Sequence, residues 1–294
     1  IRRRPGASSA TEILVDDTSL PRLASPHGWM PRTGRSWWDG CMTDPVLSLR
    51  SLHKRFGQKV AVEALSLDVP AGSMLGLLGP NGAGKTTTLS MATGLLRPDG
   101  GTAHVLGADV WRDPAAAKAR MGVLPDGVRM FDRLTGAELL RYTGLLRGMQ
   151  EADVTSRAGE LLAALGLDEA GSTLVVDYSA GMRKKIGLAC ALIHAPRLLV
   201  LDEPFEAVDP VSGEAIRSIL RGFVASGGTV VLSSHVMELV ESLCDRVAIV
   251  AQGRILADGT LDEVRAGASL QQRFLQLVGV HELGEETLSW LRSS

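Results

Sequence analysis

The stretch Gly79-Pro80-Asn81-Gly82-Ala83-Gly84-Lys85-Thr86-Thr87 carries the pattern G-x-x-x-x-G-K-[ST]. Glycines at this spacing let backbone N–H groups turn inward around anionic oxygens, with no Cβ in the way. The lysine that follows offers its charge to β- and γ-phosphates, and the hydroxyl of Thr86 offers an oxygen to Mg²⁺. A second group lies further along, in Leu198-Leu199-Val200-Leu201-Asp202-Glu203-Pro204. An apolar strand ending in two carboxylates places them at the edge where open α/β sheets bind ligands. In that position Asp202 holds Mg²⁺ through water, and Glu203 polarises an attacking water as general base. Taken alone, a strand that ends in Asp-Glu is as often a helix cap. Together the two groups describe binding and hydrolysis of a nucleotide.

These groups need rigid carriers, and the hydrophobic pattern supplies them. Met74–Leu78 is a short apolar run that feeds the glycine loop, and a helix-forming stretch follows it, so a positive dipole end points at the phosphates. Met121–Leu124, Leu198–Leu201, Thr229–Leu232 and Val247–Val250 are similar runs, each read as a buried strand of a largely parallel sheet. Val46–Leu52 and Ala61–Val69 alternate apolar and polar residues, as half-buried strands do. Helical periods cover Thr135–Arg147, Asp153–Leu165, Ser179–Ile193, Val211–Ala225 and Val236–Cys244. Successive helices without an intervening strand, between about residues 126 and 195, predict a helical subdomain set off from the sheet. The expected fold class is therefore α/β.

Composition narrows the partners. The 294 residues hold 31 basic and 33 acidic side chains, so there is no basic excess to meet nucleic-acid phosphates. The hydrophobic share, 45%, is high enough to raise the question of a membrane protein. The longest apolar run, Ile186 to Ile193, is far short of the ~20 residues that a spanning helix needs. Cys41, Cys190 and Cys244 are widely spaced and form no C-x-x-C, which reads as reduced thiols of a cytosolic protein. Residues 1–43 are set apart: they contain three of the five Trp, no clear period, and no apolar stretch after Arg2-Arg3-Arg4. They are expected to be a disordered or non-native extension, with a natural start near Met42 that upstream peptides from the native host would refute.

A third motif names a family. Tyr178-Ser179-Ala180-Gly181-Met182-Arg183-Lys184-Lys185 opens a helix 23 residues before Asp202. A Ser hydroxyl and free N–H groups at a helix start form an anion site, though they also serve as an ordinary cap. In order with the other two motifs, it makes the chain resemble the nucleotide-binding subunit of ABC transporters over about residues 46–265. Ser179 and Gly181 match that family's LSGGQ signature; Tyr178, Ala180 and Met182 follow the Y-S-x-G-M-[RK] variant of its type-2 exporters.

The resemblance implies a P-loop NTPase core with a mainly parallel sheet, an N-terminal antiparallel β subdomain and a helical subdomain. The implied cassette runs over 44–265, with a short helical tail over 266–294. Phe56 is implied to stack on adenine, His235 to act as the switch histidine on the γ-phosphate, and Asp209 to sit in the D-loop at the subunit boundary. Each has a plainer reading, as strand-end core, surface cap and helix N-cap. Asp126 stands where the family usually has Gln, and it is kept as a metal-site residue. The implied cofactors are ATP and Mg²⁺. The implied partners are a second cassette, identical or paralogous, and integral membrane permease subunits, with the chain on the cytoplasmic face of the cell membrane. Only about 30 residues follow Val264, too few for the regulatory domain of many importers, which favours export. Leu270–Leu277 is read as an amphipathic helix packing on its own domain. A soluble ABC protein acting on ribosomes or DNA is disfavoured by a single cassette without a long insert. An inactive regulatory cassette is disfavoured by intact Lys85, Asp202, Glu203 and His235.

Overall fold

The computed structural model describes residues 44–127 and 130–279. The expectations for 1–43, including Cys41 and Met42, and for 280–294 lie outside the described residues.

Two sheets carry the chain. β1 (Leu47–Phe56), β2 (Lys59–Val69), β4 (Gly100–Val105) and β5 (Ala108–Asp109) form an antiparallel sheet in the order β2-β1-β4-β5. β3 (Met74–Leu78), β6 (Met121–Leu124), β7 (Leu198–Leu201), β8 (Thr229–Ser234), β9 (Arg246–Ala251) and β10 (Arg254–Thr260) form the second, in the order β10-β9-β3-β8-β7-β6. All its pairings are parallel except that of β10, which closes one edge antiparallel to β9. Helices α1 (Lys85–Ala92) and α2 (Pro114–Ala119) follow β3 and β5. α3 (Gly136–Leu146), α4 (Glu151–Ala164) and α5 (Ala180–Leu192) follow one another between β6 and β7. α6 (Pro210–Ala225), α7 (Met237–Leu243), α8 (Leu261–Arg265) and α9 (Leu270–Val278) complete the chain.

The parallel strands are mostly apolar because both faces are covered; β8 carries Thr229, Ser233 and Ser234, and β9 starts at Arg246. Alternation sorts their residues between two cores. Leu75, Leu77, Leu198, Val200, Val231, Ala248 and Val250 pack with the antiparallel sheet and α1. Met74, Leu78, Leu199, Leu201, Val230, Leu232, Val247 and Ile249 pack with the helices on the other side. At Gly122 the helical layer comes closest: a Cβ there would lie 2.0 Å from the carbonyl oxygen of Ala191 on α5.

Helix starts follow local chemistry. Thr135 and Glu138 form a reciprocal capping box at α3, and Asp209 caps α6 ahead of Pro210. α9 packs on its own chain, as expected: Leu270 and Phe274 are buried, and the Leu270 N–H donates to Glu241 Oε1 at 2.9 Å.

Candidate functional site

The glycine loop leaves β3 and enters α1 through two left-handed turns, with φ of +81° at Gly82 and +106° at Gly84. A side chain would be excluded at Gly84 by space as well as by conformation, since a Cβ there would lie 2.6 Å from the Ala61 carbonyl oxygen. The loop is bonded on both sides: Ala83 N–H donates to Pro80 O at 3.1 Å, and Gly253 N–H donates to Ala83 O at 2.9 Å. Lys85 opens α1 and is only 5% exposed. Its Nζ donates to Gly79 O at 2.7 Å and lies 3.5 Å from Glu203 Oε1.

A cavity of about 410 Å³ opens over this loop. Pro80 to Thr87, Phe56, Asp126, Glu203 and His235 line it. Phe56 is half exposed, so the strand-end core reading fails; its ring faces solvent with Lys54 Nζ 5.7 Å from the centroid. Lys59, Ala61 and Glu206 also line the cavity and were not anticipated. Nothing in their local sequence marks them; they arrive through the β1–β2 turn and the segment after β7.

Asp202 directly follows β7 and is 4% exposed, outside the cavity lining. Ser233 holds it. This fully buried hydroxyl on β8 donates to Asp202 Oδ1 at 2.6 Å and accepts from the Glu203 N–H at 2.8 Å. The register explains the meeting: Leu201 pairs with Leu232, so the next residue on each strand faces the other. Ser233 escaped the sequence reading, although a Ser inside the buried run Thr229-Val230-Val231-Leu232-Ser233-Ser234 was the available signal. Ser233→Ala leaves a buried carboxylate oxygen and a backbone N–H short of a partner, and is expected to lower stability by about 1–3 kcal/mol. Urea unfolding checks this; an unchanged midpoint refutes it.

Glu203 has a left-handed backbone, φ +46°. Its carboxylate lies between Lys85 and His235, whose Nδ1 is 3.1 Å from Oε2. Asp126 follows β6 and lies 3.4 Å from Lys184 Nζ on α5.

Ser179, Gly181 and Asp209 gather elsewhere. Ser179 Oγ caps α5 through the Met182 N–H, 3.2 Å. Asp209 Oδ1 accepts from the Ser212 N–H at 2.9 Å, and bonds from Ser212 hold its carboxyl below the usual carboxylate range. A Cβ on Gly181 would be 3.0 Å from Asp209 Oδ2, so the two motifs touch. None of the three lines the cavity.

A family model described as ABC transporter matches residues 62–206. The daunorubicin/doxorubicin resistance ATP-binding protein DrrA of Streptomyces peucetius is 40% identical over 80% of this chain and 71% of its own length. The chain belongs to the ABC transporter ATP-binding family. The linearmycin resistance ATP-binding protein LnrL of Bacillus subtilis is 38% identical, over 73% of this chain and 69% of its own. The Nod factor export ATP-binding protein I of Ralstonia nicotianae is also 38% identical, over 76% and 70%. Among solved structures, an ATP-binding subunit of an ABC transporter superposes with a TM-score of 0.74 at 30% identity, covering 79% of this chain and 99% of that one. A nucleotide-free ATP-binding cassette shares the fold, with a TM-score of 0.67. The fold is the α/β P-loop NTPase fold, and this ABC subunit is an ATPase that works in transport. Among the described residues, no helix is long and apolar enough to cross a membrane.

Proposed function

We propose that this ABC subunit couples ATP-driven closure of two cassettes to export of a substrate through separate integral membrane subunits. The observation that carries the proposal is the division of the site. The cavity contains the glycine loop, Glu203 and His235, whereas Ser179, Gly181 and Asp209 cluster outside it. A second cassette, identical or paralogous, supplies its own Ser179-type helix start to each nucleotide. Two ATP molecules are then held between glycine loop and signature helix.

Within one half-site each group has a task. The loop N–H groups from Gly79 to Thr87 cradle the phosphates, and Lys85 turns from Gly79 O to the β- and γ-phosphates. Phe56 offers a π-face to adenine. Glu203 accepts a proton from the attacking water, and His235 orients Glu203 or that water. The donor chemistry suits Mg²⁺: the Thr86 hydroxyl and Asp126, which line the cavity, would offer it oxygen atoms, and the buried Asp202 would reach it through water. Mg²⁺ characteristically takes one or two carboxylates and completes its shell with substrate phosphates and water. When bound it neutralises charge on the phosphates. Positioning and charge carry phosphoryl transfer, so the chain's contribution is preorganisation.

The direction of transport rests on the relatives, whose names state drug resistance and Nod factor export. The location follows as the cytoplasmic face of the membrane, with no role for nucleic acid. We read 44–265 as the cassette, with its helical subdomain over about 126–195, and the residues after it as a short tail.

The docking face for the membrane subunits is the exposed side of α3. Tyr142, Leu145 and Leu146 share one helix face at i, i+3 and i+4, and all three are exposed. Phe131 packs edge-on against Tyr142 at 5.1 Å between ring centroids. Exposed apolar groups in such a cluster mark an interaction surface. Tyr142→Glu with Leu146→Glu is expected to weaken capture of the membrane subunits by more than about 30-fold, as loss of a hot spot does. ATP affinity stays at the parent value. Co-purification and nucleotide titration test this; full capture by the double variant refutes the docking face.

A further inference from the structure

Lys184 lies inside the signature helix, yet its side chain reaches two other parts of the site. It stands on α5, the helix capped by Ser179, and is 17% exposed. Its Nζ donates to the backbone carbonyl of Glu203 at 2.8 Å and lies 3.4 Å from Asp126 Oδ1. A surface ion pair alone means little. The carbonyl bond is different, because of what it holds. Glu203 has φ +46°, a conformation that a residue with a Cβ keeps only when its surroundings impose it. Its N–H is fixed by Ser233 on one side; on the other, its C=O accepts from Lys184 and, at 3.2 Å, from the Glu206 N–H.

We propose that Lys184 is a positioning residue for ATP hydrolysis. It fixes the main chain of Glu203 and pairs with Asp126. The hydrolytic carboxylate, the segment entering the helical subdomain and the helix start at Ser179 then move as one unit. Asp126, which replaces the family's usual Gln, thereby has a cationic partner on the signature helix. Lys184 also ties the carboxylate of one nucleotide site to the helix start that serves the other. The inference rests on the reading of Glu203 as general base.

The test uses the full chain with ATP and Mg²⁺, measuring kcat, KM, affinity for a fluorescent ATP analogue and the unfolding midpoint. Lys184→Met is expected to lower kcat by about 10- to 100-fold, as misplacement of a reacting group does. Its nucleotide affinity stays within about twofold of the parent and its unfolding midpoint is unchanged, the pattern of a loss felt only in the transition state. Lys184→Arg restores kcat to within about threefold, because a guanidinium donates to the same carbonyl and faces the same carboxylate.

A parent-like kcat in Lys184→Met overturns the proposal. So does a joint fall of kcat, affinity and midpoint, or an Arg variant no better than Met. Should Lys184→Met fail to fold, Lys184→Ala, which also removes the donor, is read by the same split. Glu203→Gln is measured beside them. If it keeps parent turnover, the general-base reading has failed; if it abolishes turnover while Lys184→Met keeps a parent-like kcat, only the role of Lys184 has failed.

Discussion

Glu203→Gln is expected to bind ATP and Mg²⁺ at least as well as the parent, to hydrolyse ATP more slowly by a factor of about 10² to 10⁴, and to elute as a nucleotide-bound dimer. The amide keeps the shape of the side chain but cannot take a proton from water. It also removes a negative charge 3.5 Å from Lys85 Nζ, so the ammonium loses a competitor to the phosphates. Binding therefore survives while turnover does not. Size-exclusion chromatography with ATP and Mg²⁺ and a steady-state phosphate assay read both. A monomeric profile with nucleotide bound speaks against two cassettes closing on ATP, and parent-like turnover removes Glu203 from its role as base.

Lys85→Ala gives the opposite split: binding itself fails. The ammonium is buried, with the carbonyls of Gly79 and Pro80 and the carboxylate of Glu203 around it. Phosphates replace these partners with several charge-assisted hydrogen bonds, each worth about 1.5–3 kcal/mol. Loss of the group is expected to weaken ATP by at least ~30-fold and to leave no measurable hydrolysis, given a tenfold change per 1.4 kcal/mol. Titration with a fluorescent ATP analogue measures the first effect. Parent-like affinity would show that the loop's N–H groups alone carry the phosphates.

The parts of this molecule that were readable from sequence are those in which local chemistry and tertiary role agree. β3, β6 and β7 coincide with the apolar runs that predicted them, because strands buried on both faces have no polar position to blur the run. β1 runs to Phe56, beyond its predicted end at Leu52. Ser51 adopts φ +48° and the pairing with β2 shifts register there, which breaks the two-residue period that the reading depends on. β4, β5, α2, β10 and α8 were not anticipated. β4 opens with Gly100-Gly101, β5 is two residues long, and β10 contains Asp258-Gly259, a pair that elsewhere signals a turn.

The candidate site divides in the same way. The glycine loop, Glu203 and His235 line one cavity. Ser179 and Asp209 cap their helices, as the plainer readings had it, and also meet through Gly181. Ser233 shows in the sequence only as a hydroxyl inside a buried run, and Lys184 not at all, because their significance lies in which carbonyl, N–H or carboxylate folding brings to them. Strand register delivers Asp202 to Ser233, and helix packing delivers Glu203 O to Lys184.

The division of each parallel strand between two cores has a mechanical consequence. A strand that slid one residue along its neighbour would exchange its contents between the two layers, and the next permitted stop is ~6.6 Å away. The sheet is thus a ruler with coarse graduations, and the spacing of glycine loop, carboxylates and histidine is inscribed on it. Force generated at the nucleotide cannot be absorbed by shear between these strands. Motion at the nucleotide must then pass to elements joined to the sheet, and the helical layer that follows β6 starts from its edge strand.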